Sequence, residues 1–198
     1  MNNALSIVDG FLGEHFAEVR EFALSHDFTQ APEYDGHRYP GFAPIQIEAF
    51  LKWVAGRLAN TIGCDVQIHM AAFVAGTEGF DTQQWIHADS GCARVAGVVY
   101  LFDRRGYGTQ FWQHLDFRAD QLSEVVRASE SPEDVAHRVS LDGNSEQFWK
   151  RTDYADSVQD RLIFYPTDRF HSRWPRQAFG DSPANCRLTM VLFFDILQ

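Results

Sequence analysis

The stretch QQWIHADSG, residues 83–91, sets His87 and Asp89 two positions apart, and the fold turns on how that pair is read. On a β-strand, residues i and i+2 share a face, so both side chains leave the backbone together, with Trp85 beside them. A neutral imidazole and a carboxylate presented this way form a chelating pair for a first-row metal. The plain alternative is a packed histidine followed by a turn aspartate ahead of Gly91. Spacing alone leaves both open.

A metal needs a third donor from elsewhere, and the chain has eight histidines. His15, His26, His37 and His137 fall in helix or loop contexts with no partner at ligand spacing. His69 sits in a strand pattern and reads as a hydrogen-bonded core or edge residue. His114 closes GTQFWQH (108–114) and reads as a surface residue, with a substrate or supporting contact as the alternative. His171 follows RLIFYPTDRF (161–170), at the start of a late strand or the turn before it, and is the candidate third ligand. Two histidines and one carboxylate on one side of a metal leave positions open, the arrangement that suits non-haem Fe(II).

CRLTMVLFF (186–194) adds an independent signal. Arg187 opens a strand that is apolar almost to the end of the chain, and Thr189 shares its face. A guanidinium directed into a barrel is costly unless an anion meets it. Its planar fork suits a carboxylate, with the hydroxyl as a second donor. The alternative is an ordinary pairing with one of the 27 acidic side chains.

The order H-x-D, H, R-x-T resembles the iron(II)/2-oxoglutarate-dependent dioxygenase superfamily, in particular its prolyl-hydroxylase-like branch. SIVDGFLGEHF (6–16) is similar to the helix start that precedes the barrel in that branch, and the likeness runs from about residue 7 to the C-terminus. The resemblance implies a double-stranded β-helix, a jelly-roll or cupin-like barrel, with N-terminal helices packed on one sheet. It implies His87, Asp89 and His171 as iron ligands and Arg187 as the residue holding the far carboxylate of 2-oxoglutarate. Thr189 is then the hydroxyl of the R-x-S/T pattern, and Tyr100 in GVVYLFD either contacts the same carboxylate or packs in the core. GTQFWQH matches a Gly-Gly-x-Thr-x-Phe segment of the family only at Gly108, Thr109 and Phe111. RLIFYPTDRFHS…FG…RLTMVLFF also resembles an uncharacterised bacterial subgroup. His171 and Arg187 are 16 apart, longer than is common in the family. RQAFGDSPANC (176–186) reads as the longer loop between them, and Arg173 or Arg176 is the fallback anchor.

The activity implied is that of an oxidoreductase, an Fe(II)- and 2-oxoglutarate-dependent dioxygenase of hydroxylase type that consumes O2. A carboxylate ligand at Asp89 fills the position a halide would need, so hydroxylation or demethylation is expected over halogenation. The substrate is expected to be a small molecule or peptide-like. Trp85, Trp112 and Trp174 are candidates to wall its pocket, or else fill the core. Loops 31–42 and 103–108 are candidate lids. Two rivals are a non-catalytic binding module on the same fold and a differently metallated cupin-like hydrolase or isomerase, for which no further His or Glu ligands are evident. Ser90 lacks a G-x-S-x-G setting, so a nucleophilic serine is not favoured.

The 198 residues allow one domain, with helical support over 1–62 and a barrel over 63–198 that carries a helical insert at about 118–158. Apolar spacing predicts helices over 7–28 and 43–61, followed by six to eight short strands, hence a mostly β, α+β protein. An aromatic content of 14% argues for a large ordered core. A formal charge of −10 gives no footprint for nucleic acid or an anionic membrane. There is no secretory pattern and no apolar run of the roughly 18 residues a spanning helix needs. Cys64, Cys92 and Cys186 form no CxxC and read as free thiols in a reducing cytoplasm.

Overall fold

A computed structural model describes residues 5–31, 39–79, 85–89, 91 and 93–197. Most of the 31–42 loop therefore lies outside the described residues, as do His37, Ser90 and Cys92. In chain order the elements are β1 (Ser6–Asp9), α1 (Phe16–Leu24), β2 (Thr29–Ala31), β3 (Tyr39–Pro44), α2 (Glu48–Ile62), β4 (Val66–Gly76) and β5 (Val95–Tyr100). Then follow β6 (Thr109–His114), α3 (Leu122–Arg127), α4 (Pro132–Asp142), β7 (Trp149–Ala155), β8 (Arg161–Pro166), β9 (His171–Arg173) and β10 (Arg187–Ile196).

β10 organises the molecule. It lies between β5 and β4 in an antiparallel sheet of order β1-β8-β5-β10-β4-β3-β2. Its residues alternate between two apolar environments. Leu188, Met190, Leu192 and Phe194 join Val19 and Ala23 of α1 and Val54 and Leu58 of α2. Phe193 and Val191 face the opposite way. A strand covered on both faces reads as a continuous apolar run, which is why RLTMVLFF shows no polar alternation.

A second antiparallel sheet, β7-β6-β9, faces the first. Between them lie Ala96, Val98, Tyr100, Ile163, Tyr165 and Phe193 from the large sheet and Phe111 and Ala155 from the small one. Behind the small sheet, Trp112, Trp149 and Phe170 pack against Val125 of α3 and Val139 of α4. The layers are thus two helices, a large sheet, a small sheet and the helical insert. This is the mostly β arrangement expected, with the N-terminal helices on one sheet.

Three element predictions need correction. Residues 7–28 are not one helix: Ile7 and Val8 pair with β8, and the chain turns through Gly10 and Gly13 at positive φ before α1 begins. Residues 39–44 form a strand between β4 and the edge strand β2, so the second helix starts at Glu48; it ends on Gly63 in the left-handed region. The end of the insert is strand β7, paired with β6. Among the described residues, no helix is long and apolar enough to cross a membrane.

Candidate metal centre

His87 and Asp89 lie in an extended segment, 85–89, that forms no regular strand. Four main-chain hydrogen bonds hold it. His87 N donates to His171 O at 3.0 Å, and His171 N returns the bond to His87 O at 2.8 Å. Asp89 N donates to Thr167 O at 2.7 Å, and Ile86 N to Gly143 O at 2.9 Å. Gly143 follows α4, and a Cβ there would stand 2.2 Å from Ile86 O, so the close approach requires glycine.

This seating brings the two sequence-distant histidines onto one carboxylate. His87 Nε2 lies 3.4 Å from Asp89 Oδ1, and His171 Nε2 lies 3.2 Å from Asp89 Oδ2. The donor atoms of the three side chains all fall within 4.8 Å of one another, the one such group among the described residues. Ligands at right angles on a metal with bonds of about 2.1 Å sit about 3 Å apart, so the spacing fits a single ion. His87 Nδ1 lies 3.1 Å from Trp85 O and His171 Nδ1 2.9 Å from Arg169 O. With Nδ1–H donating to a carbonyl, each ring presents its Nε2 lone pair to the shared centre, the orientation metal-binding imidazoles adopt. Burial works against ionisation of Asp89, but the neighbouring imidazoles, His171 foremost, hold its carboxyl well below the usual range. The packed-histidine alternative requires one imidazole beside the aspartate; here two converge on it.

The packed interior between the sheets continues away from the centre. The Tyr165 ring stands 4.9 Å from the His171 ring and edge-on to Phe111. Further along, Tyr100 donates to or accepts from Thr109 Oγ1 at 2.8 Å. Arg187 lies 5.5 Å from the Tyr100 ring, and its Nε donates to Tyr107 O at 3.2 Å and its Nη2 to Thr109 Oγ1 at 3.3 Å. Arg187 makes no ion pair among the described residues, so the acidic-partner alternative is not realised. Thr189 Oγ1 is fully buried and has no hydrogen-bond partner there. A guanidinium, a hydroxyl without a partner and a phenol thus converge at one end of this interior. Burial raises the Tyr100 phenol above its ordinary value despite Arg187, so it remains a hydrogen-bond donor.

Other expected residues go elsewhere. Trp85 stays beside the centre, its ring 5.0 Å from His87. Trp112 alternates with the inward Phe111 and is buried behind the small sheet, donating to Ser172 Oγ at 3.0 Å. Trp174 packs there too, 6.0 Å from Trp112, so neither lies beside the centre between the sheets. His114 is fully buried, not at the surface, and lies 3.1 Å from Asp142 Oδ2 behind the same sheet. Arg176 donates to Gly143 O, and Arg173 Nε to Arg176 O at 2.6 Å; the fallback anchors are engaged in holding the insert and the loop after β9. The 103–108 loop supplies Tyr107 O to Arg187 and places Arg104 over the rings of Tyr107 and Phe179. Sequence reading missed Tyr165 and Arg169. Both stand at even offsets from His171, which was the available signal.

Residues 1–194 match a family described as a family of unknown function, DUF6445. No curated protein matches the chain. Several solved structures share the fold at low identity. HygX from Streptomyces hygroscopicus, with nickel and 2-oxoglutarate bound, is 10% identical with a TM-score of 0.54, over 98% of this chain and 83% of its own. An oxidoreductase of the 2OG-Fe(II) oxygenase family from Burkholderia pseudomallei is 10% identical with a TM-score of 0.51, over 96% and 84%. The non-heme alpha ketoglutarate dependent epimerase SnoN from nogalamycin biosynthesis is 13% identical with a TM-score of 0.55, over 98% and 78%.

Proposed function

The chain belongs to the DUF6445 family of unknown function, and from its site we propose that it is an iron(II)- and 2-oxoglutarate-dependent oxygenase on a double-stranded β-helix, hydroxylating a small-molecule or peptide-like substrate. The observation that carries this reading is the His87–Asp89–His171 group, with both Nε2 atoms within 3.4 Å of one carboxylate and both Nδ1 atoms placed to donate to main-chain carbonyls. These three residues would hold the iron and leave the remaining positions to cosubstrate and O2. Arg187, Thr189 and Tyr100 would hold the far carboxylate of 2-oxoglutarate; the buried Thr189 hydroxyl without a partner is the sign of a missing acceptor.

When bound, iron and 2-oxoglutarate supply the oxidation of a substrate C–H bond by O2, the cosubstrate leaving as succinate and CO2. The protein's own part is geometry and exclusion of water. The carbonyls of Trp85 and Arg169 fix the imidazole tautomers. Phe111 and Tyr165 form an apolar wall beside His171 that keeps the centre dry. A carboxylate at Asp89 leaves no place for a halide, which supports hydroxylation. One neighbour in fold is an epimerase, so product analysis decides the outcome of C–H cleavage. The free thiols of Cys64 and Cys186 support a cytoplasmic setting.

The test is anaerobic addition of Fe(II) and 2-oxoglutarate to metal-free protein, followed by visible absorption. A weak charge-transfer band of the chelate is expected, absent in His87→Ala. A metal-loaded, folded wild type without the band would falsify the oxygenase reading and favour a binding module or a hydrolytic metal site.

A further inference from the structure

Arg169 stands two residues before His171 and carries a charge the proposed chemistry does not use. Its side chain is 3% exposed. Nη2 pairs with Asp153, whose own side chain is 58% exposed. Nε and Nη1 are buried and have no hydrogen-bond partner among the described residues. A buried donor left unmade is costly, more so when charged, so two on one guanidinium call for a partner that arrives later. Waiting donors of this kind mark a binding position when they face a site.

They do face it. The Arg169 guanidinium lies 4.4 Å above the Phe111 ring, and the His171 ring stands 6.3 Å from that same ring. Phe111 pairs with His171 across β6 and β9, so all three side chains project into the space between the sheets. The Arg169 carbonyl also accepts from His171 Nδ1. One residue therefore orients the proposed ligand with its backbone and extends a cation beside it with its side chain.

Arg187 lies at the other end of the interior between the sheets. Arg173 at the far end of β9 pairs with Thr109, and its Nη1 comes within 3.4 Å of where a Cβ on Gly76 would be. Gly76 in turn pairs with Arg187. The centre thus sits between two guanidinium groups, Arg187 beyond the Arg173 end of β9 and Arg169 beyond the His171 end. A cosubstrate reaching from the metal to Arg187 leaves Arg169 on the opposite side of the centre, where a substrate would have to lie.

We infer that Arg169 binds a carboxylate on the substrate, whose apolar body lies against Phe111 and Tyr165, so that the substrate class is small carboxylic acids. This rests on the oxygenase reading for which end is taken by 2-oxoglutarate. A carboxylate fits better than a phosphate dianion, because Asp153 already offsets part of the Arg169 charge and a planar fork with free N–H groups matches two coplanar oxygens.

The probes are 3-phenylpropionate and its neutral amide, titrated calorimetrically into anaerobic protein loaded with Fe(II) and 2-oxoglutarate. Wild type is expected to bind the acid at least about tenfold more tightly than the amide, or 1.4 kcal/mol. Arg169→Gln is expected to abolish that preference while the 2-oxoglutarate midpoint of the charge-transfer band moves less than about twofold. Arg169→Lys is expected to restore part of the preference. Asp153 is exposed and its replacement endangers the fold least, so Asp153→Asn provides the second arm: removing the competing carboxylate is expected to strengthen acid binding about threefold or more. Equal affinity for acid and amide in wild type, including no binding of either, overturns the inference. So does a preference that survives Arg169→Gln, or an Asp153→Asn variant that binds the acid no better. A band midpoint that collapses in Arg169→Gln reassigns Arg169 to the cosubstrate and equally overturns it. Absence of any band in wild type is instead the failure of the oxygenase reading, seen before a probe is added.

Discussion

His87 and His171, 84 residues apart in sequence, exchange both of their main-chain hydrogen bonds, N to O at 3.0 Å and 2.8 Å. That pairing places two imidazoles on the same face with ring centroids 4.5 Å apart, and Asp89 then falls between their Nε2 atoms. The bonds that build the sheet are the bonds that build the centre.

Metal binding is therefore expected to stabilise the whole small sheet. A ligand that binds only the folded state, at one hundred times its Kd, adds about 2.7 kcal/mol, a rise in Tm of about 5–10 °C for a chain of this size. Differential scanning calorimetry under nitrogen with Mn(II) or Fe(II) measures it. His87→Ala and His171→Ala are each expected to lose the rise, with metal affinity reduced more than about hundredfold. A rise that persists in both variants means the metal binds elsewhere.

Thr189→Val separates a binding hydroxyl from a packed one. Valine keeps the shape and removes a buried oxygen with no partner, so ligand-free stability is expected to hold or to increase by up to about 1 kcal/mol. The 2-oxoglutarate midpoint is expected to rise about fivefold, and Arg187→Gln to raise it about thirtyfold or more. A loss of ligand-free stability with an unchanged midpoint would make Thr189 a core residue only.

Gly108 has no room for a side chain. A Cβ would stand 1.9 Å from Ala155 O, on the strand paired to β6. Gly108→Ala is expected to cost about 3 kcal/mol or more by overpacking, read from urea unfolding. Because Tyr107 O and Thr109 hold Arg187, the same substitution is expected to weaken 2-oxoglutarate binding, whereas Gly56→Ala, on α2 with open space around it, is expected to leave the midpoint within about twofold.

Asp160 ties the N-terminal segment to the large sheet. Leu12 N donates to its Oδ1 at 2.7 Å and Gly13 N to its Oδ2 at 2.8 Å. Asp160→Ala is expected to cost about 2 kcal/mol by orphaning those donors. Burial outweighs the two bonds and lifts the carboxyl above 3.8. A raised folded value means the contribution of this group is full below 3.8 and declines as pH rises through the folded value. The Tm gap between wild type and Asp160→Ala is thus expected to be wider at about pH 3.5 than at about pH 7; the reverse order would mean that the bonds to the anion prevail.

Legibility followed burial. β5, β8 and β10 are covered on both faces by the two sheets or the helices, and their apolar runs announce them. β7 is an edge strand whose residues between Trp149 and Ala155 are exposed, so WKRTDYA carries no alternation and reads as part of a helical insert. β1 has four residues at the opposite edge, too few for a period to register. Of the candidate site, the residues of the proposed centre, His87, Asp89 and His171, and the more distant Arg187 stood out because each is a costly residue to place in a β-rich interior. Arg169 and Tyr165 did not, because their even offset from His171 does not by itself separate a guanidinium above Phe111 from one at the surface. Trp112 and Trp174 misled for the same reason: β6 and the loop after β9 point neighbouring residues to opposite sides.

The contact between Ile86 N and Gly143 O gives the α3–α4 insert a status its sequence does not suggest. A surface excursion of this kind looks exchangeable, a cassette that relatives or protein engineers might swap to retune selectivity. Here its last turn anchors the segment that carries His87 and Asp89, and the glycine that allows the contact tolerates no side chain. Any graft that replaces residues 122–148 must reproduce one carbonyl at one place, or the segment that carries His87 and Asp89 loses its moorings.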